Sequence, residues 1–180
     1  MNTQTLPEIN ERLIEKWGRR MSYRSILIDQ LNACYNDKSW FIPLHEILKD
    51  LNATQAAWEN ESKQSIWSIV NHLIFWNEKW LERYNVEQFE LESSINNDDT
   101  FYVNPHTIND FEWKKTLQRL ETVFESWNRA LEESEDLKLI KEIPSYCNAP
   151  WWGVVSNLCI HNAYHIGQIM LLKKQLISVG

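Results

Sequence analysis

At 180 residues, with 43% hydrophobic and 24% charged side chains, the chain has the length and composition of one soluble globular domain with a full-sized core. Four glycines and five prolines are too few for a turn-rich all-β fold and point instead to long helices. The net charge of −7, with no Lys/Arg run beyond Arg19-Arg20 and Lys173-Lys174, argues against a nucleic-acid footprint.

The opening MNTQTLPEINERLIEKW is polar and charged, unlike a secretory signal. No apolar run reaches the roughly 18 residues of a membrane span, so the cytoplasm is the expected compartment. Residues 1–20 read as an N-terminal extension to a single domain over 1–180. Within them Ile9, Leu13 and Trp17 suggest a short helix, Glu8 to Trp17, ended by Gly18. The first bundle helix is expected over 22–36, with Ser22 as N-cap and Leu27, Leu31 and Cys34 on its apolar stripe. A second piece starts at Pro43, a good first helical residue, and carries Leu44, Ile47, Leu48 and Leu51 inward. His45, beside Glu46, reads as a surface histidine. Thr54 is the expected cap of a short turn over 55–59.

Ser65 caps a clear helix from Ile66 to about Tyr84. Its broad apolar face includes Ile69, Val70, Leu73, Trp76 and Trp80. His72 lies within that face, where its ring nitrogens need partners. Residues 85–107 are polar and turn-forming, too long for a simple helix–helix link. Such a crossover is expected where two successive helices are not simple antiparallel neighbours. His106, beside Pro105, falls in this loop without an assigned role. The third long helix is expected from Ile108 to Ser134, with Thr107 and Asp110 in capping-box spacing and Trp113, Leu117, Leu120, Phe124, Trp127 and Leu131 inward. The charged stretch EESEDLKLIKE and a turn at Pro144 lead to the last helix, Trp151 to Gln175.

On that last helix Val154, Leu158, His161, His165, Gln168 and Leu172 share one face, with Val155, Asn162, Ile166 and Ile169 on the adjoining strip. Gly167 interrupts it at a cost of about 1 kcal/mol relative to Ala, which close helix packing would explain. Two imidazoles at i and i+4 can bite one metal ion. Two buried imidazoles side by side also cannot both be charged without cost. A third inward histidine, His72, sits on another helix. Spacing alone leaves two readings open, a three-histidine metal site and three hydrogen-bonded core histidines. The run His161-Asn162-Ala163-Tyr164-His165 has Asn162 where a zinc protease of the HExxH type needs its glutamate, so that chemistry is not expected. Cys34, Cys147 and Cys159 fit neither a disulfide framework nor a CxxC zinc pattern, and Cys159 reads as core.

The run HNAYHIGQI at 161–169, with SIWSIVNHLIFW at 65–76 and SWFIPLHEILKDLNATQAAW at 39–58, resembles the DinB-like superfamily of small four-helix-bundle proteins. That group includes the YfiT-like metal proteins and the bacillithiol S-transferases. The resemblance covers most of the chain, from Tyr23 to Gln175. It implies an all-α four-helix bundle in up-down-down-up order, with a long crossover between the second and third bundle helices. It implies a divalent metal, zinc or nickel, held by His72, His161 and His165, with a water completing the shell. It also implies a homodimer. The activity it points to is a transferase that activates a low-molecular-weight thiol of the bacillithiol type and passes it to an electrophile. A metal-dependent hydrolase and a non-catalytic, stress-associated metal-binding protein are the alternatives. Ten tryptophans are many for this length, enough both to fill a core and to line a pocket. The candidate pocket residues are Trp76, Trp151, Trp152 and Tyr164, with Asn157 and Gln168 as candidate supporting donors.

Overall fold

Paired serines start two of the long helices. Ser22 and Ser25 cap each other's backbone N–H at 3.0 and 3.2 Å, and Ser65 and Ser68 do the same at 3.1 Å each. In the computed structural model, residues 22–86 and 95–179 are described, so the expected helix over 8–17 lies outside the described residues. The helices are α1 (Tyr23–Tyr35), α2 (Leu44–Leu48), α3 (Ala53–Ala56), α4 (Ile66–Asn85), α5 (Asp110–Glu132), α6 (Asp136–Ile140) and α7 (Trp151–Val179). A two-residue antiparallel pair, β1 (Glu142–Ile143) with β2 (Ala149–Pro150), leads into α7.

Three expected helix starts shift by a residue or two. Pro43 stands outside α2 with ψ 156°, so it is the N-cap and not the first helical residue. Asn52, not Thr54, caps α3, because its Oδ1 reaches the N–H of Gln55 at 2.9 Å. Asn109, not Thr107, caps α5 through the N–H of Glu112 at 3.0 Å. Thr107 ends a short 3-10 turn instead. Asparagine outcompetes threonine at both positions, as its longer carbonyl arm fits the cap.

The four long helices pack in a ring, α1–α7–α4–α5 and back to α1. Paired contacts give their directions. Along α4 and α5, Trp67 meets Trp113 and Tyr84 meets Trp127, so these helices run parallel. Tyr35 stacks on Phe124 while Asn32 bonds Asn128, so α1 and α5 are antiparallel. Trp80 meets Trp151 while His72 meets His165, so α4 and α7 are antiparallel. Tyr23 stacks on Trp152 while the Cys34 thiol reaches the Cys159 carbonyl, so α1 and α7 are parallel. The order is therefore up-down-down-up, as expected. A parallel α4/α5 pair calls for a long crossover between Asn85 and Asp110, as the length of that connection provides.

The core is filled by Leu31, Tyr84, Trp113, Phe124 and Trp127, each at most 2% exposed. Trp113 also donates its indole N–H to the Leu51 carbonyl at 2.8 Å, tying the α2–α3 corner to α5. Gly167 does not mark a close helix approach: a Cβ there would meet nothing within 4 Å among the described residues. No helix among the described residues is long and apolar enough to cross a membrane.

Candidate metal centre

α4 and α7 lie side by side because each offers an apolar stripe, and the three inward histidines fall where those stripes meet. His72 is 2% exposed, between the fully buried Ile69 and Leu73 of α4. His161 and His165 project from successive turns of α7. Their ligating atoms all lie within 4.8 Å of one another. His161 Nε2 is 3.0 Å from His72 Nε2 and 3.1 Å from His165 Nε2.

The neighbours fix where the protons sit. The Thr100 hydroxyl donates to the Asn97 carbonyl at 2.5 Å, so its oxygen must accept from His72 Nδ1–H at 2.6 Å. His72 Nε2 is then a bare lone pair. Gln168 Nε2 donates to Tyr164 Oη at 3.1 Å, which turns its Oε1 to accept from His165 Nδ1–H at 2.7 Å. His165 Nε2 is a second bare lone pair. His161 Nε2 faces both, and one proton there could serve only one of them. Its own Nδ1 is buried without a hydrogen-bond partner among the described residues. Hydrogen bonding alone cannot satisfy this cluster. A shared cation would take up all three Nε2 lone pairs, since three neutral imidazoles at roughly 2.0–2.1 Å from one ion stand roughly 3.3 Å apart. The residues present thus fit a divalent metal, with Thr100 and Gln168 setting the tautomers that ligation needs.

All three rings are held neutral. His72 is pushed down to about 3, first by burial and then by the neighbouring His165 and His161. His161 is pushed down to about 4 by burial and by His165. Burial also lowers His165, against the opposing hydrogen bond from Gln168. In the unfolded chain each titrates near its ordinary value of about 6.5. Below that pH the unfolded state takes up protons that the folded state refuses, so stability falls as pH drops. Chelator-treated protein should therefore lose urea midpoint progressively from about pH 6.5 toward pH 4. A variant carrying His72→Gln and His161→Gln should be much flatter over the same range.

Phe101 covers the site, stacked on His72 at 3.9 Å between ring centroids and 12° between planes. Thr100 and Phe101 both come from a 3-10 turn, Asn97–Phe101, in the crossover. A cavity of about 510 Å³ opens beside His161, between α4 and α7. Trp76, Trp80, Arg83, Asn97, Tyr146 and Asn157 are among the residues that line it. Of the sequence candidates, Trp76 and Asn157 reach this cavity. Gln168 reaches His165 instead. Trp151 is buried against Trp80 and Tyr84, Trp152 stacks on Tyr23, and Tyr164 stands 63% exposed outside His165, so these three lie outside the lining. Asn162 is fully buried and turned away from the cluster. It exchanges side-chain hydrogen bonds with Asn77 at 2.8 and 3.2 Å, locking the register of α4 on α7.

His45 and His106 are exposed and take no part. Cys34 and Cys159 are buried core thiols, and burial pushes Cys34 up to about 12. Sequence reasoning missed Thr100, Phe101, Trp80, Arg83 and Tyr146. The Asn96 cap of the 3-10 turn, with Oδ1 accepting from the Asp98 N–H at 3.2 Å, is a signal that could have drawn attention to the first two.

The sequence model of the DinB superfamily matches residues 43–169, more than half of the chain. A solved structure from Bacillus subtilis is similar over 98% of this chain and 91% of its own, with a TM-score of 0.58 at 11% identity. That protein, YfiT, is described as a probable metal-dependent hydrolase with an unusual four-helix bundle topology. No curated protein matches the chain.

Proposed function

The chain belongs to the DinB superfamily, and on that premise we propose a metal-dependent enzyme that activates a low-molecular-weight thiol for transfer to an electrophile. His72, His161 and His165 would hold a divalent ion, with zinc and nickel both suited to imidazole ligands. The observation that carries the reading is the convergence of three Nε2 atoms, two of them fixed as lone pairs by Thr100 and Gln168. Three protein ligands leave a coordination position open, the mark of a catalytic rather than a structural site.

A divalent ion bound there supplies the positive charge that makes a thiol or a water more acidic. The chain's own residues do the rest. Thr100 and Gln168 hold the two ligand rings in orientation and tautomer. Phe101 shields His72 from water on one side. The cavity beside His161 gives a small molecule access from the other, with Asn97 and Asn157 as hydrogen-bonding groups in its wall.

Hydrolysis of the kind suggested for YfiT calls for a base to take a proton from the attacking water. Among the described residues no carboxylate joins the histidine group. A thiol starts with a pKa of about 8.5, far below that of water, so the same ion ionises it more readily without a base, and that difference favours thiol transfer. The test is a cobalt-substituted protein titrated with a simple thiol. A sulfur-to-cobalt charge-transfer band, followed by consumption of an added electrophile, is the expected result. Cobalt binding without that band, together with ester or amide hydrolysis in the absence of thiol, would replace this reading with the hydrolase.

A further inference from the structure

Two of the three histidines are braced from behind and the third is not. Thr100 takes the Nδ1–H of His72 at 2.6 Å, and Gln168 takes that of His165 at 2.7 Å. His161 Nδ1 is buried without a hydrogen-bond partner among the described residues. A neutral ring that gives Nε2 to a metal carries its proton on Nδ1. Ligation therefore turns this atom into a buried donor in need of an acceptor, and nearly every histidine ligand has one.

The acceptor has to come from the cavity that His161 borders. Trp76, Trp80 and Arg83 offer only donors there. Asn97 Oδ1 already accepts from the Trp76 indole N–H at 3.2 Å. Tyr146 stands edge-on to Trp80 at 5.1 Å, and Trp80 lies two turns of α4 beyond His72, roughly 12 Å along the axis. Asn157 remains. It precedes His161 by one turn on the same face of α7, where Cβ atoms stand roughly 5–6 Å apart. Helical side chains lean toward the N-terminus, so the His161 ring lies over the turn that carries Asn157. Asn157 is exposed on the cavity wall, which leaves its carboxamide room to turn.

We infer that Asn157 is the positioning residue of the third ligand. When a divalent ion takes His161 Nε2, Asn157 Oδ1 turns to accept from His161 Nδ1–H, as Thr100 and Gln168 do for the other two rings. The inference rests on the metal centre proposed above and not on the identity of the reaction. A carboxamide suits both states of the site, because its Nδ2–H can instead donate to a bare Nδ1 when the ion is absent. A carboxylate serves only the protonated Nδ1 of the ligand, and an aliphatic side chain serves neither.

That difference is the test. Zinc-loaded protein with ¹⁵N-labelled histidine is followed by NMR for exchange of the Nδ1–H protons, and chelator competition gives the zinc affinity. The unmutated protein should show three protected Nδ1–H protons, since the exposed His45 and His106 contribute none. Asn157→Leu should leave two, those of His72 and His165, and weaken zinc by about tenfold or more. Asn157→Asp should keep all three and bind zinc more tightly than the unmutated protein. Ser156→Asp, which adds the same charge on another side of α7, should gain less. Unchanged zinc affinity in Asn157→Leu overturns the inference. So does a weakened affinity with all three protons still protected, because lost packing alone would produce it. An unmutated protein that takes up no zinc overturns the metal centre, and this inference with it.

Discussion

Replacing His161 with alanine should remove stoichiometric metal from the purified protein and weaken its affinity by two to three powers of ten. His161 is the common neighbour of the cluster, with Nε2 within 3.1 Å of both other Nε2 atoms. A histidine site worth on the order of 10 kcal/mol that loses one of three ligands gives up about a third of that. His72→Ala should do the same although it lies 89 residues away in the chain. The exposed His45 and His106 serve as controls, and their alanine variants should bind metal normally. Metal content and chelator competition read all four. Unchanged affinity in His72→Ala would take that residue out of the site. Full metal in His161→Ala would remove the proposed centre altogether.

Trp127→Ala should cost about 4 kcal/mol of unfolding free energy, within the usual range for emptying a buried aromatic site. Trp127 is fully buried between α4 and α5, its ring 5.4 Å from that of Tyr84. Its indole N–H also donates to the Asn77 carbonyl at 3.0 Å. Truncation removes both the filling and that tie. The Asn77 side chain is in turn bonded to Asn162, so the damage should reach the α4–α7 seam that carries the histidines. Metal affinity should fall with stability, by a smaller factor than in His161→Ala. Trp127→Phe keeps most of the volume and should cost roughly half as much. Urea midpoints measure both variants, and a loss under 2 kcal/mol for the alanine variant would show that the neighbours close the gap.

The parts of this molecule that follow helical periodicity could be read from the sequence. Ser65 and the apolar face behind it gave α4 almost to the residue, and the i,i+4 histidines needed only the geometry of one helix. The up-down-down-up order was carried by family resemblance and by the length of the crossover, since periodicity says nothing of direction. What escaped depends on contacts made at long range. Thr100 sits in a polar stretch with no apolar pattern, and only its arrival at His72, 28 residues earlier, gives it a role. Arg83 reads as an ordinary surface cation near a helix end until the fold buries it over Trp80. Tyr146 reaches the cavity by a route no sequence pattern announces: the residues after it, Cys147 and Asn148, both take left-handed backbone angles, at φ 52° and 55°. Gly167 invited a packing explanation, and its exposed surroundings do not supply one.

The ring order α1–α7–α4–α5 also says when the site can exist during synthesis. α7 is made after the other six helices, yet it is wedged between the first and the fourth and brings His161 and His165. While it is still inside the ribosome, Cys34 on α1 and His72 on α4 lack their partners Cys159 and His161. The emerging chain therefore presents a bundle with one wall missing, a form that invites chaperones and self-association. His72 waits with it, a lone imidazole too weak to capture an ion. Insertion of α7 closes the wall and assembles the ligand set in one event, so ion capture follows the making of α7 and fastens that helix in place.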